Sequence, residues 1–197
     1  MKSDIINRII TETEAKSYLE LGYQNGENFN LIECENKISV DINGKADFND
    51  GDLVFFEQNE KIFDCIFIDS LHEAVHVRKV IIESLKCLTQ NGCIVLHDVC
   101  PPDEKSQLVP REQKVFCGDV WRAVVGFIES YPDVNVVTYR ADYGLTVLYP
   151  EGKKVRKHFE NTEMTYEEFK ENEVELLNII DSVSYTHLRA HETSLHL

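Results

Sequence analysis

Along the chain, short apolar runs alternate with stretches in which apolar residues recur every three or four positions. Ile5, Ile6, Ile9 and Ile10 carry the helical spacing and predict a short amphipathic helix ahead of the main body. Ser17 to Leu21 reads as a short strand running into a glycine turn, with a helix over Asn25 to Cys34 behind it. Lys37 to Asp41 reads as a second strand closed by Asn43-Gly44, and a weakly written third falls at about Lys45 to Phe48. Asp52 to Gln58, bearing Phe55 and Phe56, predicts a helix. Phe63 to Asp69 is nearly continuously apolar, the pattern of a parallel strand buried on both faces. Val77, Val80, Ile81, Leu85 and Leu88 then mark one face of a helix that Asn91-Gly92 is expected to end, and Cys93 to His97 is another buried strand.

The stretch Pro101 to Cys117 is polar, contains Pro101, Pro102 and Pro110, and shows no period. It predicts a long loop of the kind that serves as a lid or binding loop. A helix over 118–130 carries Trp121, Val124, Val125 and Ile128; Val134 to Tyr139 and Gly144 to Tyr149 read as adjacent strands joined by Arg140 to Tyr143. A last helix is expected at about Tyr166 to Ile180. Strands alternating with helices at this spacing predict right-handed βαβ units, hence an α/β fold with an open, mostly parallel sheet. One domain is expected over residues 1–181. Ser182 to Leu197 breaks with everything before it and resembles translated sequencing-adaptor read-through. His187, His191 and His196 fall in that tail, which is excluded from the functional reading.

Composition narrows the function. Twenty Lys+Arg against 35 Asp+Glu give a formal charge of −15. So acidic a surface repels phosphate backbones, which argues against a nucleic-acid partner. No apolar run approaches the roughly 18–20 residues that span a bilayer, and the start of the chain lacks the long apolar stretch of a secretory signal. A cytoplasmic protein without a membrane partner is expected. The six cysteines (Cys34, Cys65, Cys87, Cys93, Cys100 and Cys117) show no C-x-x-C pair, and reduced, mostly buried thiols are expected.

Two constellations carry candidate chemistry. The first is Glu20-Leu-Gly22-Tyr-Gln-Asn-Gly26, between a strand and the expected helix. Gly22 permits a sharp turn and Gly26 a close approach to a ligand. The N–H groups of a helix start would suit an anion, and Glu20 a cationic group on the same ligand. The pattern is not G-x-G-x-x-G, which disfavours a nicotinamide cofactor. Asp41 stands 19 residues after Gly22 at a strand end, where a carboxylate can accept both hydroxyls of a ribose or, alternatively, cap a helix. The second constellation is Asp69-Ser-Leu-His72 with His97-Asp98, at the ends of two buried strands. These groups could hold a divalent metal or act as acid and base. The plainer reading makes Asp69 a helix cap and His97 a hydrogen-bonded histidine near the core. His76, one turn beyond His72 and off the apolar face, is expected to be exposed.

Taken in order, Tyr18-Leu-Glu-Leu-Gly-Tyr-Gln-Asn-Gly26, Ile38-Ser-Val-Asp41, Asp52-Leu-Val-Phe-Phe56, Phe63-Asp-Cys-Ile-Phe-Ile-Asp-Ser-Leu-His72 and Val95-Leu-His-Asp98 resemble class I S-adenosylmethionine-dependent methyltransferases. The resemblance is to the small methyltransferase-24-type domain and covers about residues 15–150, with Gly118-Asp-Val-Trp-Arg122 and Asp142-Tyr-Gly-Leu145 also fitting. Ser70 departs from the glycine usual in that group. The resemblance implies a Rossmann-like fold with helices on both faces of the sheet and an antiparallel strand near its C-terminal end. It implies that Glu20, Gly22, Gly26 and Asp41 bind S-adenosylmethionine, with Asp41 on the ribose, Asp52 near the adenine and Asp69 near the methionine moiety. Related metal-dependent enzymes place acidic or amide ligands at positions like Asp69, His97 and Asp98, so a magnesium site is a candidate there. The expected activity is methyl transfer to an oxygen or nitrogen of a small-molecule or sugar-linked acceptor, with His72 or His97 as base and the 101–117 loop and Trp121 shaping the acceptor pocket. The competing readings are a NAD(P)-dependent oxidoreductase on a related fold and a non-catalytic cofactor-binding module.

Overall fold

The computed structural model describes residues 2–150 and 158–180. Helix α1 (Lys2–Thr13) leads by a three-residue turn into β1 (Ser17–Leu21), followed by β2 (Asn36–Val40), α2 (Asp52–Gln58), β3 (Phe63–Ile68) and α3 (Ala74–Lys86). Then come β4 (Leu88–Leu96), α4 (Val120–Ser130), β5 (Asn135–Tyr139), β6 (Leu145–Tyr149), α5 (Tyr166–Leu176) and the two-residue β7 (Ile179–Ile180). The strands form one sheet in the order β2-β1-β3-β4-β6-β5-β7. β2, β1, β3 and β4 pair in parallel, while β6 runs against both β4 and β5.

The central strands are mostly apolar over their buried lengths because the sheet is covered twice, and their alternation sorts residues between the two faces. Leu19, Leu21, Ile66, Ile68, Ile94 and Leu96 pack with Val77, Val80 and Ile81 of α3 and Val120 and Val124 of α4. Tyr18, Cys65, Phe67, Cys93 and Val95 face the other way, onto Ile6, Ile9 and Ile10 of α1 and onto Phe29 and Ile32. Each such side chain contributes about 1.5–3 kcal/mol on burial, so the two layers fix the sheet between them. All six cysteines are free thiols, five of them buried. No helix among the described residues is long and apolar enough to cross a membrane.

Four elements differ from the sequence reading. Asn25 to Cys34 is not an α-helix; it holds only a 3-10 turn at Phe29–Leu31. Asn25 accepts the Glu27 N–H on its own side chain, the local competition by which asparagine displaces helical hydrogen bonds. The strand expected at Lys45 to Phe48 is reduced to a single bridge between Val40 and Phe48. Asn91-Gly92 does not end α3, which stops at Lys86, but lies inside β4. The β3–β4 register shifts between Phe63 and Cys65, and a side chain at Gly92 would meet the Asp64 carbonyl oxygen at 2.9 Å, so glycine marks an irregularity in the ladder. The last helix ends at Leu176; Asn178, with φ of 45°, turns the chain so that Ile179–Ile180 pairs with β5. The tail from Ser182 and its three histidines lie outside the described residues.

Candidate active site

Chain connections leave β1 to one side for β2, while β3 and β4 lie on its other side, so the order of the sheet reverses at β1 and β3. Open α/β sheets bind ligands in the crevice beyond the carboxyl ends of the strands at such a point. Gly22 stands there with φ of 99°, and a Cβ on it would lie 2.0 Å from the Asp69 carbonyl oxygen. The turn after β1 is thus packed directly on the backbone after β3. The Gly22 and Tyr23 N–H groups donate to the Val40 carbonyl, and the Gln24 and Asn43 N–H groups donate to the Asp41 carboxylate at 2.7 and 3.0 Å. Asp41 therefore clamps the 22–26 loop from the end of β2. A Cβ on Gly26 would meet the Tyr23 hydroxyl at 2.4 Å, so that glycine makes room for a side chain of its own loop.

Glu20 is 1% exposed on the α1 side of the sheet and accepts hydrogen bonds from the Tyr18 hydroxyl at 2.6 Å and Asn28 Nδ2 at 2.7 Å. Burial outweighs these bonds and pushes its pKa up to about 7. The folded state thus holds the Glu20 proton more tightly than the unfolded chain. Its contribution to stability is present in full below about pH 4.5 and falls as pH rises to about 7, by about 3 kcal/mol at roughly 1.4 kcal/mol per tenfold. Thermal melts from pH 4.5 to 6.5, below the range in which the histidines contribute, are expected to show that slope in the wild type and to lose it in Glu20→Gln; an unchanged slope would assign it elsewhere.

Next to this loop lies a cluster of alternating charge. Asp69 Oδ1 is 3.3 Å from His72 Nε2 and 3.2 Å from His97 Nδ1, and Asp69 Oδ2 accepts from Lys2 Nζ at 2.5 Å. Asp98 Oδ2 is 3.3 Å from His72 Nδ1 and 3.2 Å from His97 Nδ1, and Asp142 Oδ2 is 3.1 Å from His97 Nε2. His97 is thus enclosed by three carboxylates. Burial opposes its charge, but the bonds to Asp142, Asp69 and Asp98 win and push its pKa up to about 11. His72 is raised for the same reasons, against burial, by Asp69 and Asp98. Asp69, although buried, is held far below the carboxylate range by His72, His97 and Lys2. Asp98 with φ of 60°, Asp142 with 48°, Tyr143 with 64° and Gln24 with 52° all adopt left-handed backbone around this crevice. Such conformations cost about 1–3 kcal/mol each and concentrate where side-chain placement matters.

The 101–117 segment lies over the cluster. Phe116 stacks on the His72 ring (centroids 5.7 Å apart, planes at 17°), and the Arg111 guanidinium lies over the Phe116 ring, 5.6 Å from its centroid. Gly118, with φ of 61°, abuts the His72 backbone, where a Cβ would fall 1.9 Å from the carbonyl oxygen. Trp121 does not shape this pocket: it is fully buried, stacked 4.2 Å from Phe169, with its indole N–H on Gln107.

No protein-family model matches the chain, and no curated protein matches it. Solved structures do. An O-methyltransferase from Bacillus cereus in complex with SAH is similar at 14% identity, over 75% of this chain and 80% of that one, with a TM-score of 0.55. The O-methyltransferase TomG from Streptomyces achromogenes, in complex with SAM, is similar at 12% identity over 75% and 78% of the two chains, with a TM-score of 0.53. The SAH-bound methyltransferase PaMTH1 from Podospora anserina gives 15% identity, 75% and 77% coverage and a TM-score of 0.52. The fold is that of the class I methyltransferases.

Within this class I methyltransferase fold, Glu20, Gly22, Asp41, Asp69, His72, His97 and Asp98 gather at one end of the sheet. The absent helix after Gly26 removes the helix start that was expected to offer N–H groups to an anion there. Asp52, in the first turn of α2, is buried and bonded at 2.8 Å to His76 of α3, so His76 is a partly buried partner of Asp52 and not a free surface group. Among the described residues, Asp69, His72 and Asp98 each offer a ligand atom within 4.8 Å of the others, so His72 stands in a metal-sized triad where His97 was expected. Lys2, Phe116 and Asp142 also contact this cluster, and none of the three was singled out from the sequence as a candidate site residue. Phe116 had a signal in the expected 101–117 binding loop and Asp142 in the turn between two adjacent strands; Lys2 had none.

Proposed function

We propose that the protein is an S-adenosylmethionine-dependent methyltransferase of the methyltransferase-24 type, acting on an oxygen or nitrogen of a small-molecule or sugar-linked acceptor. The observation that carries this reading is the Asp69–His72–His97–Asp98 cluster lying against the Gly22 turn at the point where the sheet order reverses. When bound, S-adenosylmethionine supplies a sulfonium methyl for displacement by the acceptor, leaving S-adenosylhomocysteine. The donor set suits it: Glu20 and Asp69 are buried carboxylates for a cationic ligand, and Asp41 is a strand-end carboxylate for ribose hydroxyls. Gly22 and Gly26 would form the loop along it and Asp52 would lie near its adenine.

In the reaction His97, held by three carboxylates, keeps its proton and orients Asp69 and Asp98. His72 is less enclosed than His97, its side chain 18% exposed against 8%, with Asp69 and Asp98 on its two ring nitrogens. Of the two histidines it is the one that, in its neutral form, would take the acceptor proton as the new bond forms. Phe116 fixes the His72 ring plane and, with the rest of the 101–117 segment, keeps water from the reacting atoms. Asp69, His72 and Asp98 have the spacing of a divalent-ion site, at which an ion would lower the pKa of an acceptor hydroxyl, but Lys2 already occupies one Asp69 oxygen and no step is assigned to a metal. The net charge favours a small acceptor over nucleic acid.

Isothermal titration with S-adenosylhomocysteine tests the central claim, and absence of binding would end it. Asp41→Ala is expected to weaken that binding about 10- to 100-fold, the loss of one or two charge-assisted hydrogen bonds. Unchanged affinity would refute the ribose role. Turnover of candidate sugar, phenol and amine acceptors, read as S-adenosylhomocysteine release, separates a catalyst from a binding module.

A further inference from the structure

The first turn of α1 carries a lysine where the helix dipole disfavours a cation, so nothing local to α1 accounts for Lys2. The explanation is tertiary. Its ammonium donates to Asp69 Oδ2 at 2.5 Å, and it lies over the Phe67 ring, 5.7 Å from the centroid. Phe67 is two residues before Asp69, on the face that α1 covers, and the packing of Ile6, Ile9 and Ile10 on that face determines where Lys2 arrives. Asp69 divides its two oxygens: Oδ1 faces His72 and His97, and Oδ2 is taken by Lys2. The Lys2 ammonium also feels Asp142 and Asp98, and Glu20 feels it in turn.

We propose that Lys2 is the resident cation of the Asp69–His72–Asp98 cluster. It supplies at Asp69 the positive charge that a divalent metal would bring, so the cluster binds such an ion weakly while Lys2 is in place and more tightly once that charge is removed. An ion held by the three ligand atoms would share the Asp69 carboxylate with the ammonium. Asp69 is only 5% exposed, and like charges that close in a buried site are poorly screened. Occupation of Oδ2 also denies an ion two-oxygen coordination by Asp69. This inference concerns the cation at the cluster and does not depend on methyl transfer.

The test is titration of Mn2+ alone into the full chain, followed by electron paramagnetic resonance of the free ion and by calorimetry. The samples are the wild type, Lys2→Met, Lys2→Gln and Lys2→Arg. Methionine keeps an apolar stem against Phe67 without the charge, glutamine provides a second neutral variant, and arginine retains the charge. Both neutral variants are expected to bind Mn2+ at least tenfold more tightly than the wild type, and Lys2→Arg to remain weak. Adding Asp98→Asn to Lys2→Met is expected to reverse the gain, which assigns it to this cluster. Equal affinity in the wild type and both neutral variants would overturn the proposal, as would tight binding by the wild type. Circular dichroism melts identify any variant that fails to fold, and the wild-type result then still decides in the second direction. S-adenosylhomocysteine binding by the same wild-type sample reports separately on the methyltransferase reading.

Discussion

Asp69→Ala is expected to lower the unfolding free energy by about 3–5 kcal/mol, the usual cost of removing one partner from a buried charge network. The reason is the number of groups that depend on one carboxylate. Lys2, His72 and His97 all bond to Asp69, which is buried, and alanine leaves all three without that acceptor. At roughly 2–4 °C per kcal/mol for a chain of this size, the melting temperature should fall by about 10 °C. Asp69→Asn keeps an oxygen and the shape but not the charge, and should fall between the two. Methyl transfer should be lost in both variants, because each releases the His72 ring. Thermal melts by circular dichroism, with turnover measured well below the lower transition, check both parts. A loss under about 1 kcal/mol in Asp69→Ala would show that the cluster is a solvated surface feature and would remove the basis for the site.

Gly22→Ala is expected to cost about 2–4 kcal/mol and to abolish S-adenosylhomocysteine binding. Two independent penalties meet at this residue. A side chain at φ of 99° is strained wherever it stands, at about 1–3 kcal/mol. The added methyl would also lie 2.0 Å from the Asp69 carbonyl oxygen and 3.1 Å from the Ser70 nitrogen, both backbone atoms that cannot swing aside. Relief requires the turn after β1 to move off the end of β3, which separates Glu20 and Asp41 from Asp69. Gly44→Ala is the control: φ is 78° there, but nothing lies within 4 Å of the added methyl, so only the backbone penalty applies and binding should survive. Comparable losses in the two variants would show that the close approach at Gly22 is unimportant.

The elements that were legible in the sequence are those whose pattern is dictated by burial alone. Phe63 to Ile68 and Cys93 to Leu96 could be read as buried strands because both faces of the sheet demand apolar residues. The faces of α3 and α4 followed from the 3.6-residue period. The misread segments are those where a local signal competes with a contact far away in sequence. Asn91-Gly92 looks like a helix stop, but the edge offered by β3 extends β4 back to Leu88. The residues after Gly26 look like the helix of a βαβ unit, yet Asn25 takes the Glu27 N–H, Asn28 is drawn to Glu20, and only a 3-10 turn forms. Trp121 looks like a pocket aromatic, but Phe169 lies far along the chain and takes its ring into the core.

The sequence by itself determined the α/β class, the parallel centre of the sheet, and the candidacy of Glu20, Gly22, Asp41, Asp69, His72, His97 and Asp98. It could do so because strand ends and glycine turns are local features, and carboxylates and imidazoles are scarce in apolar runs. Only the tertiary structure decided how those groups share their bonds. Which histidine is enclosed by three carboxylates and which is less enclosed depends on Asp142 and Phe116, brought in from the β5–β6 turn and the 101–117 segment. That Asp69 already has an ammonium on one oxygen depends on α1 packing across the sheet. A charge network is set by distances of 2.5–3.3 Å between residues up to 67 positions apart, and spacing along a chain does not encode such distances.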